Sequence, residues 1–177
     1  LRRYLTFAEF KSELAPHFGL GLEGYATWTS PIRKYSDMVN HRLIKAVLTQ
    51  QACEKPQDEV LARLQEARRQ NRLVERDIAD WLYCRYLADK VAENVEFDAE
   101  VQDVMRGGLR VQLLENGASM FVPASTLHPN KDEMQVNADE LALYIQGERR
   151  YKIGDLVKVK LTEVREETRS IIGQLII

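Results

Sequence analysis

The sequence predicts an α+β chain, with helices filling residues 1–94 and a small antiparallel β-barrel filling residues 95–177. Three observations carry that expectation. Apolar residues recur at helical spacing from Ser30 to about Thr49, and again from about Gln57 to Asn94. At Phe97 the pattern changes to alternation, the period of a half-buried strand. Beyond it, turn signals at Gly107-Gly108 and Glu115-Asn116-Gly117 divide short β-rich runs.

Taken in order, Phe7 to Leu14 reads as a short amphipathic helix behind Thr6 as cap, ending before Pro16. Phe18 to Gly24 holds three glycines and reads as loop. Ser30-Pro31 opens the next helix, whose apolar positions are Ile32, Tyr35, Val39, Leu43 and Val47. Arg33, Asp37 and His41 share another side of it, and Glu54-Lys55-Pro56 breaks the pattern. A long helix follows, with an apolar stripe of Val60, Leu64, Ala67, Val74, Ile78, Trp81 and Leu82, and room for a kink near Gln70-Asn71. Strands are expected at 97–104, 109–114, 118–123, 156–164 and 170–176, with residues 128–140 irregular and extended segments at 141–146 and 151–155. Five main strands joined this way suit a closed barrel of the OB type, a fold whose open face binds oligonucleotides.

At 177 residues and 45% hydrophobic content, the chain can bury one good core or two small ones. No run is long enough for a membrane span, so no membrane partner is expected. Leu1-Arg2-Arg3 reads as the middle of a longer polypeptide, whose N-terminal remainder is the expected neighbour of residues 1–50. Cys53 and Cys84 lack metal-ligand spacing and suit free thiols in a reducing cytoplasm. With three scattered histidines, His17, His41 and His128, they also argue against a structural zinc site, and no metal ligands are assigned. The net charge of −2 is unevenly spread: +3 over residues 1–50, −2 over 51–96 and −3 over 97–177. That excludes whole-surface adhesion to polyanions but leaves room for a local phosphate channel.

The stretch Tyr25-Ala26-Thr27-Trp28-Thr29-Ser30-Pro31-Ile32-Arg33-Lys34-Tyr35 carries the chemistry. A capped helix end, the guanidinium fork of Arg33 and nearby aromatic planes suit a phosphate attached to a base. The plainer reading is a common Ser-Pro helix start with Arg33 and Asp37 as a surface i,i+4 pair. Tyr25 and Trp28 either line a channel or pack inward.

This string, with His41-Arg42 after it, closely resembles the motif at the end of the catalytic domain of bacterial ribonuclease II, the RNB-type exoribonucleases. Pro16 to Glu23, Arg72, Glu75-Arg76-Asp77 and Asp80 to Tyr83 are also similar to that family, as are Gly107 to Val111 and Glu163 to Ile172. The second half further resembles an S1 RNA-binding domain at Gly107-Gly108, Val122 to Leu127 and Gly154 to Lys160. It departs from that pattern where Leu109 and Arg110 follow the glycine hairpin in place of an aromatic, and where Pro123 replaces a histidine.

The resemblance implies the C-terminal part of an RNB catalytic domain over residues 1–94 and an S1 domain over 95–177. It implies a processive, hydrolytic 3′→5′ exoribonuclease that degrades single-stranded RNA to nucleoside 5′-monophosphates. Arg33 would contact the scissile phosphate. Tyr25, Thr29, Ser30, Arg110, Lys158, Lys160 and Arg169 are the further candidates for RNA contact. Mg²⁺ would be bound by aspartates outside this chain, so the chain alone is expected to be inactive, and monomeric. The alternative is a non-catalytic RNA-binding protein with a degenerate nuclease domain. A third reading has the acidic 51–96 segment contacting another protein.

Overall fold

The computed structural model describes residues 8–176, which fall into two compact units meeting in sequence at Val74 and Glu75. The change from helical to alternating pattern lies some twenty residues later, because the end of one long helix belongs to the second unit.

In the first unit, residues 8–16 are irregular where the sequence pattern suggests a helix. The expected Thr6 cap and Phe7 lie outside the described residues. A run this short, stopped by Pro16, cannot offset helix nucleation by itself. Its groups are held instead by the long helix: the Gln65 side-chain amide donates to the Ala8 carbonyl at 3.2 Å, and the Arg68 guanidinium lies 5.6 Å from the Phe10 ring centroid. A single 3-10 turn at Phe18–Leu20 follows, closed by Gly21 in the left-handed region (φ 63°) and by a bridge between His17 and Leu22.

Helix α1 spans Tyr35–Leu48, starting five residues later than the Ser-Pro signal suggests. Ser30 is not its cap. The Ser30 carbonyl accepts the N–H groups of Arg33 (3.2 Å) and Lys34 (2.9 Å), so Ser30 to Lys34 forms a separate turn ahead of the helix. Helix α2 spans Asp58–Ala92 and is uninterrupted through Gln70-Asn71. The expected stripe along it does not form one: Val60, Val74, Ile78, Trp81 and Leu82 are exposed, and the buried positions are Cys84 and Leu87. Over 35 residues, the buried face is decided by where there is something to pack against, and among the described residues the fully buried positions fall in the last turns.

That partner is the barrel. Strands β1 (Glu96–Met105), β2 (Gly108–Leu113), β3 (Ser119–Pro123), β7 (Leu156–Arg165) and β8 (Ser170–Leu175) close in the order β1-β2-β3-β8-β7, with a parallel contact of β3 and β8 at Phe121 and Ile172. Alternate residues point inward: Phe97, Ala99 and Val101 from β1, Leu109, Val111 and Leu113 from β2, Met120 and Val122 from β3. Register breaks at Val101/Asp103 and Leu161/Glu163 let the two ten-residue strands bend around the core. Gly108 opens β2 at φ 142°, where a Cβ would collide with the Val122 carbonyl. Cys84 and Leu87 seal one side of this core, and the Tyr83 hydroxyl donates to the Asn116 carbonyl at 2.8 Å.

The stretch expected to be irregular, 128–140, holds a short strand, and the extended segments expected at 141–146 and 151–155 coincide with or overlap two more. After a single helical turn at Ala124–Leu127, residues Met134–Asn137 (β4), Ala142–Ile145 (β5) and Glu148–Lys152 (β6) form a second, three-stranded sheet. Leu143 and Ile145 join the main core from it. No described helix is long and apolar enough to cross a membrane.

Candidate nucleic-acid interface

The motif segment is held from one side by α1. Ser36, Asp37, Asn40 and His41 lie one helical turn apart in pairs and face the backbone of residues 27–30. The Asp37 carboxylate accepts the Ser30 N–H at 2.9 Å and the Ser36 hydroxyl at 3.2 Å. The Asn40 side-chain amide donates to the Thr27 carbonyl at 2.8 Å. The His41 Nε2 lies 2.9 Å from the Trp28 carbonyl, so that nitrogen carries the proton and donates. The His41 ring also stacks on the Trp28 ring, with centroids 3.6 Å apart and planes 10° off parallel.

Asp37 is 1% exposed, the most enclosed side chain of this segment. The Thr27 hydroxyl, the Ser30 N–H, the Ser36 hydroxyl and the Lys34 charge hold its carboxyl below the ordinary range, against the burial that would raise it. It does not form the i,i+4 pair with Arg33 that the spacing allows, because both its oxygens are turned to Ser30 and Ser36.

Fixing the segment from behind leaves its other side open. Tyr25, Thr29 and Arg33 are exposed, and Ser30 is half-buried. Among the described residues, no carboxylate lies within ion-pair distance of Arg33. The N–H groups of Arg33 and Lys34 are already used inside the turn, so what Arg33 presents outward is its guanidinium rather than its backbone. Tyr25 meets His17 edge-on at 5.5 Å between centroids. Trp28 has one face covered by His41, which leaves its indole a supporting place rather than a free platform. The sequence missed Asn40 as a holding residue altogether. Its signal was present as a polar residue one turn after Ser36 and next to His41.

The barrel candidates separate into two groups. Arg110 points outward from β2, directly opposite Phe121 on β3. Phe121 is half-buried on the same outer face, and its ring edge lies where a side chain on Gly107 would reach, 3.7 Å away. An aromatic plane therefore exists beside Arg110, one strand over from where the sequence lacked one. Lys158 and Lys160 instead face acidic residues of β1: Lys158 pairs in register with Asp98, at 3.2 Å between Nζ and Oδ1, and Lys160 with Glu96. Arg169, in the β7–β8 turn, is bound to Asp77 of α2 at 2.8 Å. Of the four barrel cations singled out, Lys158 and Arg169 thus already have carboxylate partners.

Among the described residues, no group of three or more His, Cys, Asp or Glu side chains could hold a metal ion. The donors present do not make a Mg²⁺ site by themselves.

Residues 1–50 match the RNB domain family, and residues 90–175 match the S1 RNA binding domain family. The chain is 87% identical over 176 residues to Exoribonuclease 2 of Haemophilus influenzae, a match covering 99% of this chain and 27% of that protein. It is 82% identical to Exoribonuclease 2 of Mannheimia succiniciproducens and 76% identical to that of Pasteurella multocida, again over 99% of this chain and 27% of each relative. The chain thus spans about a quarter of the length of the curated relatives it matches. Its fold is shared with the apo form of Mycoplasma genitalium RNase R, at a TM-score of 0.77 and 23% identity over 98% of this chain and 28% of that one. The same protein in complex with ribose methylated single-stranded RNA gives the same values.

Proposed function

We propose that this chain, which belongs to the ribonuclease II family and joins the end of an RNB domain to an S1 domain, is the phosphate-holding and RNA-guiding part of a hydrolytic exoribonuclease. The reaction is processive 3′→5′ degradation of single-stranded RNA to nucleoside 5′-monophosphates. The observation that carries the reading is Arg33: an exposed guanidinium, free of carboxylate partners among the described residues, on a turn pinned from behind by α1. Such a fork contacts two phosphate oxygens at once and stays charged at every working pH, so it can fix the scissile phosphate and offset charge that develops on it. Tyr25 and Thr29, exposed in the same segment, and the half-buried Ser30 are the further candidates for RNA contact there.

The barrel's part is weaker and sequence-tolerant. Arg110 with Phe121 offers a cation and a plane, Lys158 and Arg169 share their charge with Asp98 and Asp77, and Lys160 stands in register with Glu96. Mg²⁺, in this reading, is held by residues outside this chain and supplies the nucleophile's activation. The protein works as a monomer in the cytoplasm, with the rest of its polypeptide against residues 1–50.

The test uses a polypeptide of the relatives' full length that carries this chain. Arg33→Ala is expected to slow single-turnover hydrolysis of single-stranded RNA by about a hundredfold. The chain alone is expected to release no mononucleotide in the presence of Mg²⁺. Digestion by the isolated chain, or an unchanged rate for Arg33→Ala, would overturn the reading. Full-length protein that binds RNA without hydrolysing it would instead support a non-catalytic binder.

A further inference from the structure

We propose that Asp37, with Asn40 and His41, is a positioning device that sets where the Arg33 guanidinium stands. The inference rests on the phosphate-contact reading of Arg33 given above. The geometry behind it is a short chain of bonds. Asp37 holds the Ser30 N–H, and the carbonyl of the same Ser30 holds the N–H groups of Arg33 and Lys34. One residue therefore ties the first turn of α1 to the start of the turn that carries Arg33. Asn40 and His41, one helical turn further on, fix the approach to that turn at the Thr27 and Trp28 carbonyls.

Beside the stack of Trp28 on His41, the apolar side chains next to Arg33 add little packing. Ile32, beside Arg33, is fully exposed, and Trp28 and Tyr35 are 40% and 50% exposed. The one enclosed side chain in the stretch is the carboxylate itself. A buried carboxylate that accepts a backbone N–H is directional. Its loss leaves that N–H unpaired and frees the turn to move. A guanidinium on a turn displaced by about an ångström makes poorer contact with a phosphate, and misplacement on that scale can cost about a hundredfold in rate. None of the three residues needs to touch RNA for this effect.

The test is a double-mutant cycle in the full-length polypeptide, read as single-turnover hydrolysis of single-stranded RNA, with KM and kcat measured alongside. Asp37→Ala is expected to lower kcat about tenfold in the Arg33 background, with KM changed by less than about twofold. In the Arg33→Ala background the same substitution is expected to change the rate by less than about twofold, because there is no guanidinium left to misplace. His41→Phe provides a second entry to the cycle should Asp37→Ala fail to fold. It keeps a ring against Trp28 and removes only the bond to the Trp28 carbonyl, and a loss of about threefold that vanishes without Arg33 is expected. Equal losses in both backgrounds, or no loss in the Arg33 background, would overturn the positioning role while leaving the phosphate reading intact. Full activity of Arg33→Ala would remove the phosphate reading and the positioning role with it.

Discussion

The two units of this chain are held together by different means. Among the described residues, all nineteen buried apolar side chains, from Cys84 to Ile171, belong to the second unit. Among the described residues of the first unit, the only buried side chain is the carboxylate of Asp37. The barrel is fixed by filling volume, so many apolar side chains share the task, and its outer face can change without moving its backbone. The motif segment is fixed by a few directional bonds from α1 to residues 27–30, so each of those side chains matters individually. In the proposed reading, a site that aims one guanidinium gains from the second arrangement, and a platform that holds RNA loosely is served by the first.

The largest expected effect lies where the barrel has no room to spare. Gly108→Val places a branched side chain at φ 142°, against the Val122 carbonyl and the Ala124 N–H. Strain and collision together should cost about 4 kcal/mol, enough to abolish the cooperative urea transition of the second unit. Leu109→Ala, at a fully enclosed position in β2, should cost about 3 kcal/mol and lower the urea midpoint without a change in slope. A barrel that tolerated either change would not be held by packing, and the contrast between the units would fail.

The barrel was legible in the sequence for the same reason that it is robust. Alternation at Phe97, Ala99 and Val101 and the Gly107-Gly108 turn are local signals repeated strand after strand, and the strands they predict are present. Of the small β4-β5-β6 sheet, the extended segments expected at 141–146 and 151–155 match β5 and overlap β6. Strand β4 was not legible, because Gln135 and Asn137 read as loop, while Leu143 and Ile145 find the core through tertiary contact. The stretch Tyr25 to Tyr35 was readable as a motif, yet its geometry was not. Ser30-Pro31 carries a strong helix-start signal, but Asp37 seven residues on captures the Ser30 N–H and the helix begins at Tyr35 instead. A rule based on neighbouring residues cannot see a cap supplied from the following helix. Likewise, Lys158 and Arg169 look like free cations in sequence, and only the register of β1 with β7 and the docking of α2 bring Asp98 and Asp77 to them.

Acid should act on the motif through Asp37, while in the second unit Glu133 and Glu163 are likewise held below the carboxylate range, by Gln146 and Asn130 and by Arg165. The Asp37 carboxyl, held by the Thr27 hydroxyl, the Ser30 N–H, the Ser36 hydroxyl and the Lys34 charge, titrates below its ordinary value of 3.8. A group depressed by folding contributes stability that is present above its unfolded value and is lost as pH falls through the folded one. Protection of the Ser30 amide against hydrogen exchange, corrected for the intrinsic rate at each pH, should therefore hold at pH 5 and fall below about pH 4. The amides of β2 and β3 should keep their protection over the same range. Loss of barrel protection first would mean that the motif is not the acid-sensitive part.

The smallest effect is expected at Arg169, where the barrel turn meets the end of the long helix. Its ion pair with Asp77 is short, at 2.8 Å, but both side chains are nearly half exposed, at 47% and 48%. Exposed pairs of this kind contribute about 0.5 kcal/mol, and salt screens them. Arg169 also sits at φ 53°, a backbone conformation that costs a side chain about 1 kcal/mol and glycine almost nothing. Arg169→Ala loses the pair and keeps the strain, so it should be destabilised by about 0.5 kcal/mol at low salt and by nothing measurable in 1 M NaCl. Arg169→Gly loses the pair and relieves the strain, and should match or slightly exceed the parent chain in urea. A loss above about 2 kcal/mol for Arg169→Ala would show a directional contact of the kind that holds Asp37, placed on the unit where packing is expected to dominate.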